Sequence, residues 1–226
     1  MDRTGECSEY YIEENAVKSL EDTSSLISYI CSLTSVSSHA NTGTMPEPLV
    51  QPILTPRFAI SCTSECLHGV CELADRWDRQ SRHSHEPRMR IQTHISENQA
   101  EVEHTLDLYP DADSYAQVYD LHGLLRSTTI LAHAVYLSDN EIRLIKERKA
   151  GISHCPTSNF NLRSGVAPIG RYLDEGLKVC LTGAHCQLYL MFDPGWTRYR
   201  CIGWVFCVNL GCDSRCINSI QSHRLE

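Results

Sequence analysis

The stretch Gln92-Thr93-His94-Ile95-Ser96-Glu97 sets an imidazole and a carboxylate three residues apart. It follows a short apolar run (Met89, Ile91) and precedes a segment, Gln99 to Leu108, with helical spacing. Where a strand gives way to a helix, such a pair can be aimed at one bound water. A divalent metal beside that water lowers its pKa, so the arrangement suits metal-assisted hydrolysis. Other polar residues fall where apolar runs stop: Arg57 after Pro52-Ile53-Leu54, His133 after Thr128 to Ala132, and His154 in Gly151 to Cys155.

The elements that must position these residues alternate. Glu13 to Cys31 reads as a helix with Val17, Leu20, Ile27 and Ile30 near one face. Ser32 to Pro48 reads as a loop. After the Pro52 to Leu54 strand, Cys66, Val70, Leu73, Ala74 and Trp77 predict a helix, and Gln80 to Pro87 a polar loop. The strand ending at His94 is followed by a helix with Val102, Leu106 and Tyr109 in one stripe, and Ser96 with Gln99 fits a capping box at its start. Ser138 and Glu141 fit a second box, before a helix carrying Ile142, Leu144 and Ile145. A short helix holding Val166, Ile169 and Leu173 is ended by Gly176, and Lys178 to Leu181 is a last strand. Tyr109, Tyr115 and Tyr119 are read as packing and loop residues.

Short apolar strands alternating with helices imply an α/β fold, a parallel sheet covered by helices. In a (β/α)8 barrel the strand ends share the face that holds the chemistry. A doubly wound sheet would also gather them. The sequence has no Gly-rich phosphate loop or dinucleotide fingerprint, which favours the barrel.

The chain has 226 residues, a net charge of −8 and a sequence pI of about 5.7. With no Lys/Arg-rich run, this argues against nucleic acid as a partner. No apolar window approaches a membrane span, and the first thirty residues are polar, so neither a membrane partner nor a signal peptide is expected. Of the twelve cysteines, six (Cys180, Cys186, Cys201, Cys207, Cys212, Cys216) crowd the end of the chain. No C-x-x-C pair there supports a zinc module, and reduced thiols in the cytoplasm are expected. The chain divides into residues 1–181, which alternate, and a Cys-rich tail, 182–226, which does not.

Thr55-Pro56-Arg57-Phe58, Gln92-Thr93-His94-Ile95-Ser96-Glu97-Asn98, Leu131-Ala132-His133 and His154-Cys155-Pro156-Thr157-Ser158-Asn159 occur in that order with barrel-like spacing. Together they resemble the guanine deaminase family of the amidohydrolase superfamily, over about residues 1 to 181. The resemblance implies a partial TIM-like barrel, about strands 4 to 8. It implies zinc-dependent hydrolysis of guanine, a small-molecule purine, to xanthine and ammonia, by a homodimer. His94 would ligate zinc and touch substrate, and Glu97 would move a proton from water to a ring nitrogen and help protonate the leaving amine. His133 would bond the attacking water and support the tetrahedral centre. Arg57 would donate to the purine carbonyl, Phe58 would shape the pocket, and His154 would be structural or lie behind the site.

The same resemblance implies a His-x-His pair on an earlier strand and an Asp ending the last one. Met1-Asp2-Arg3 corresponds to a point well inside the family's chain, and Ala184 stands where the Asp is expected. His83-Ser84-His85 reads as solvated loop rather than as the missing pair. Zinc at a catalytic site takes about three protein ligands. With His94 alone, the chain by itself is expected to be inactive and poorly stable. The alternatives are an amidohydrolase acting on a pterin or pyrimidine, which Arg57-Phe58 argues against, and a non-enzymatic truncated isoform or interaction subunit.

Overall fold

Residues 2–3, 13–34, 51–81, 88–181, 190–192 and 200–201 are described by the computed structural model. Five strands run parallel in chain order: β1 (Ile53–Leu54), β2 (Arg90–Ile95), β3 (Thr129–His133), β4 (Gly151–His154) and β5 (Lys178–Leu181). Each pairs with the next in sequence, with His94 opposite Ala132 and Ser153 opposite Cys180. The order never reverses, as it does at the switch point of a doubly wound sheet, so the arrangement is that of barrel strands. Helices α1 (Ala16–Thr34), α2 (Ser64–Ser81), α3 (Gln99–Leu108), α4 (Tyr115–Leu121), α5 (Asp139–Arg148), α6 (Pro156–Asn161) and α7 (Ile169–Asp174) lie before and between the strands.

Burial alternates along β2 and β3. On β2, Ile91, Thr93 and Ile95 are buried while Arg90, Gln92 and His94 are half-buried. Leu131 on β3 and Ile152 on β4 continue the buried face, which joins Leu67, Ala74, Ile142 and Ile145 of the helices in one core. Truncating a side chain such as Leu131 to Ala in a core of this kind costs about 2–5 kcal/mol. On the other face Cys180 is packed by Ile53 and Ile130. Helices α1 and α2 cross closely at Gly69, where a Cβ would come within 2.1 Å of Leu20 Cδ1. No described helix is long and apolar enough to cross a membrane.

Several local expectations change. Asn15 Oδ1 accepts the Lys18 N–H at 2.8 Å, so α1 begins after it, three residues later than expected, and continues past Cys31. The first residue of the cap expected at Ser96 is replaced by Asn98, whose side chain accepts the Glu101 N–H. Ser96 itself sits at φ 48°, and its carbonyl accepts the N–H groups of Val135 and Tyr136. The box of Ser138 and Glu141 forms as expected. Gly176 follows α7 at φ 79°, but Val166 lies outside that helix and is exposed. Helices α4 and α6 are additional: Tyr115 and Tyr119 are fully buried in α4 and are not loop residues. In the tail, which the sequence pattern does not place, β6 (Leu190–Phe192) and β7 (Arg200–Cys201) extend the sheet antiparallel beyond β5. His83, His85 and Ala184 lie outside the described residues.

Candidate active site

At the C-terminal ends of β1, β2 and β3 a cavity of about 640 Å³ is lined by Arg57, Phe58, His94, Glu97 and His133. Asn98, Glu101, His104, Ser158 and Leu162 complete most of its wall. Every residue singled out from the sequence for chemistry or substrate contact therefore faces one space, and His154 is not on its wall.

Backbone geometry explains the convergence. The Arg57 carbonyl accepts the His94 N–H at 2.9 Å, and the same oxygen lies 2.6 Å from His94 Nδ1. A carbonyl only accepts, so Nδ1 carries the proton and Nε2 keeps its lone pair. Burial, followed by the nearby His133, holds the His94 imidazole below the ordinary histidine range and favours the neutral ring. The Phe58 ring meets His94 edge-on at 6.2 Å, and the Arg57 guanidinium lies 5.1 Å from the Phe58 centroid. Arg57 is exposed, so its donors stay available at the cavity's lip.

His133 and Ala134 end β3 with φ of 71° and 48°, a strained left-handed pair. The turn is held by Ala134 N–H to the Ile95 carbonyl (3.0 Å) and by the Tyr172 hydroxyl to the Ala134 carbonyl (2.7 Å). It swings the His133 ring to 4.9 Å from His94. His133 Nδ1 lies 2.8 Å from Asn159 Oδ1 and 3.4 Å from Glu97 Oε1. The same Glu97 oxygen accepts from Ser164 Oγ at 3.2 Å. Behind it, Glu101 accepts the Glu97 N–H at 3.0 Å and the Tyr115 hydroxyl at 2.9 Å. Burial raises the Glu101 carboxyl above its ordinary range. His154 is half-buried with Nδ1 unpaired, and burial lowers its pKa.

Sequence reasoning missed three supporting residues. Tyr119 reads as a packing residue, Asn159 falls at the end of the His154-Cys155-Pro156-Thr157-Ser158-Asn159 motif without a role of its own, and Ser164 carries no signal. His94 fits a metal ligand through Nε2, but among the described residues no three His, Cys, Asp or Glu side chains gather to hold a metal ion. These residues alone do not make a catalytic zinc site.

The chain belongs to the amidohydrolase family, whose model matches residues 39–195. Among its relatives, a probable guanine deaminase from Schizosaccharomyces pombe is 45% identical over 173 residues, covering 76% of this chain and 29% of that protein. A crystal structure of guanine deaminase from C. acetobutylicum, with guanine bound in its active site, is 36% identical with a TM-score of 0.65, over 80% of this chain and 37% of that one. The E. coli guanine deaminase is 27% identical with a TM-score of 0.63, over 81% of this chain and 36% of that one. The chain thus spans about a third of the length of these proteins, from 29% to 37%.

Proposed function

We propose that this chain carries the purine-binding and proton-transfer part of a cytoplasmic guanine-deaminating site, one that in complete form hydrolyses guanine to xanthine and ammonia with zinc. The carrying observation is that Arg57, Phe58, His94, Glu97 and His133 line a single cavity. Arg57 donates to the purine carbonyl, and Phe58 packs against the base. Glu97, with Ser164 and His133 at one carboxylate oxygen, passes a proton from water to a ring nitrogen and then to the leaving amine. His133 bonds the attacking water. His94 Nε2 is the metal-ligand position, and when bound the metal supplies activation of that water. A catalytic zinc site needs further ligands, which the described residues do not supply.

The test is guanine binding and guanine-to-xanthine turnover by the purified 226-residue chain with zinc supplied. Saturable guanine binding without turnover is expected. Turnover lost on Glu97→Gln would overturn the ligand count and keep the substrate. A folded chain that binds no guanine, or prefers a pterin or pyrimidine, would overturn the reading itself.

A further inference from the structure

We propose that Asn159 is a positioning residue that holds His133 with its proton on Nδ1, so that the cavity meets a hydrogen-bond acceptor at Nε2. The inference rests on the proposed function only in taking His133 as part of the reacting site.

Two oxygens converge on one ring nitrogen. Asn159 Oδ1 is 2.8 Å from His133 Nδ1, and Glu97 Oε1 is 3.4 Å from the same atom. Turning the Asn159 amide over would set its Nδ2 donors against Nδ1 and demand a lone pair there. That lone pair would then face the Glu97 carboxylate. With Oδ1 inward, the N–H on Nδ1 donates to Asn159 Oδ1 and still faces the Glu97 carboxylate. The orientation leaves Asn159 Nδ2 buried without a partner, an uncommon cost that a purely structural asparagine has no reason to bear. Asn159 is 1% exposed and cannot swing away. Its N–H bonds the Cys155 carbonyl at 3.0 Å, and its carbonyl accepts the Ser164 N–H at 2.8 Å. The backbone bond that holds Asn159 thus also places Ser164, whose hydroxyl reaches Glu97.

The chemical consequence is specific. His133 Nε2 has no hydrogen-bond partner among the described residues, and the ring lines the cavity. A neutral His133 held this way accepts a proton from a bound water or hydroxyl, and orients its oxygen lone pairs elsewhere. It donates to a developing oxyanion only once it has become imidazolium. The opposite tautomer, the one free histidine favours, would donate at once and bind an anion in the ground state.

Long-range proton–nitrogen NMR of the chain labelled with nitrogen-15 histidine reads the tautomer directly, with His133→Gln identifying the signal. In the unmodified chain, the neutral His133 ring should show a protonated Nδ1 and a bare Nε2. Asn159→Asp, which keeps an acceptor, should preserve that pattern. Asn159→Ala should move His133 to a mixture in which Nε2–H dominates. A protonated Nε2 in the unmodified chain overturns the proposal, as does a folded Asn159→Ala chain with an unchanged spectrum. If that variant fails to fold, the unmodified and Asp spectra decide. Guanine binding with an Nε2–H His133 sinks this inference alone. An Nδ1–H His133 in a chain that binds no guanine sinks the functional reading alone.

Discussion

The Tyr119 hydroxyl donates to the His94 carbonyl at 2.7 Å, and so ties a fully buried side chain of α4 to the residue at the centre of the site. The same oxygen accepts the Ala59 N–H at 3.1 Å and the Thr93 hydroxyl at 2.8 Å. One phenol therefore sets the segment carrying Arg57 and Phe58 against the end of β2. Tyr119→Phe removes the shared atom and leaves the Ala59 N–H and the His94 carbonyl short of a partner in the core. A loss of about 1–3 kcal/mol in urea unfolding is expected. A change below about 0.5 kcal/mol, the range of neutral surface substitutions, would show that the contact is incidental.

Arg57 stands at the lip of the cavity without an ion-pair partner of its own among the described residues. The hydrogen bond proposed from it to a purine carbonyl would be charge-assisted, a class worth about 1.5–3 kcal/mol. Arg57→Ala should therefore weaken guanine binding by roughly tenfold to a hundredfold in calorimetry. Adenine has an amino group in place of the carbonyl, and its weaker binding should not change. Equal losses for both bases would move Arg57 from recognition to general packing.

Glu101 gives stability a pH dependence of known sign. Burial raises its carboxyl in the folded chain, while the unfolded value is about 4.3. The folded state holds the proton more firmly, so the contribution is most favourable below the unfolded pKa and declines as pH rises through the folded one. Glu101→Gln mimics the protonated form. Its stability relative to the unmodified chain should thus improve between pH 4 and pH 7 in denaturant titrations. A difference that shrinks over that interval would mean that the bonds from Tyr115 and the Glu97 N–H outweigh burial.

Chelation should leave the fold untouched. A ligand stabilises a protein only through binding to the native state, and the described residues offer one committed imidazole, His94, rather than a cluster. Thermal unfolding midpoints with and without a chelator should therefore coincide. A drop of several degrees on chelation would reveal ligands contributed by residues beyond those described.

Much of the scaffold was legible because the chain writes its strands as short apolar runs that stop at polar residues. Leu131-Ala132-His133 announces both β3 and the residue it delivers. The box at Ser138 is readable because Glu141 lies three positions on, whereas Ser96 competes in sequence with Asn98, the true cap, and is itself drawn into a left-handed turn whose carbonyl bonds Val135 and Tyr136. Helix α4 escaped notice because its tyrosines resemble surface aromatics in sequence, and only the fold shows Tyr119 bridging Ala59, Thr93 and His94. The pairing of Asn159 with His133 spans 26 residues and two elements, a distance over which local pattern carries no information.

The strictly successive pairing of β1 to β5 also bears on how the chain comes together during synthesis. Each new strand docks on the one made just before it, so no partner has to wait for a distant segment. Each closure spans only one crossover, shorter than in a sheet that pairs strands distant in sequence, which favours stepwise addition over a long-range search. His94 can be in place before His133 leaves the ribosome, and the reactive corner is then finished from one side as the later strands arrive.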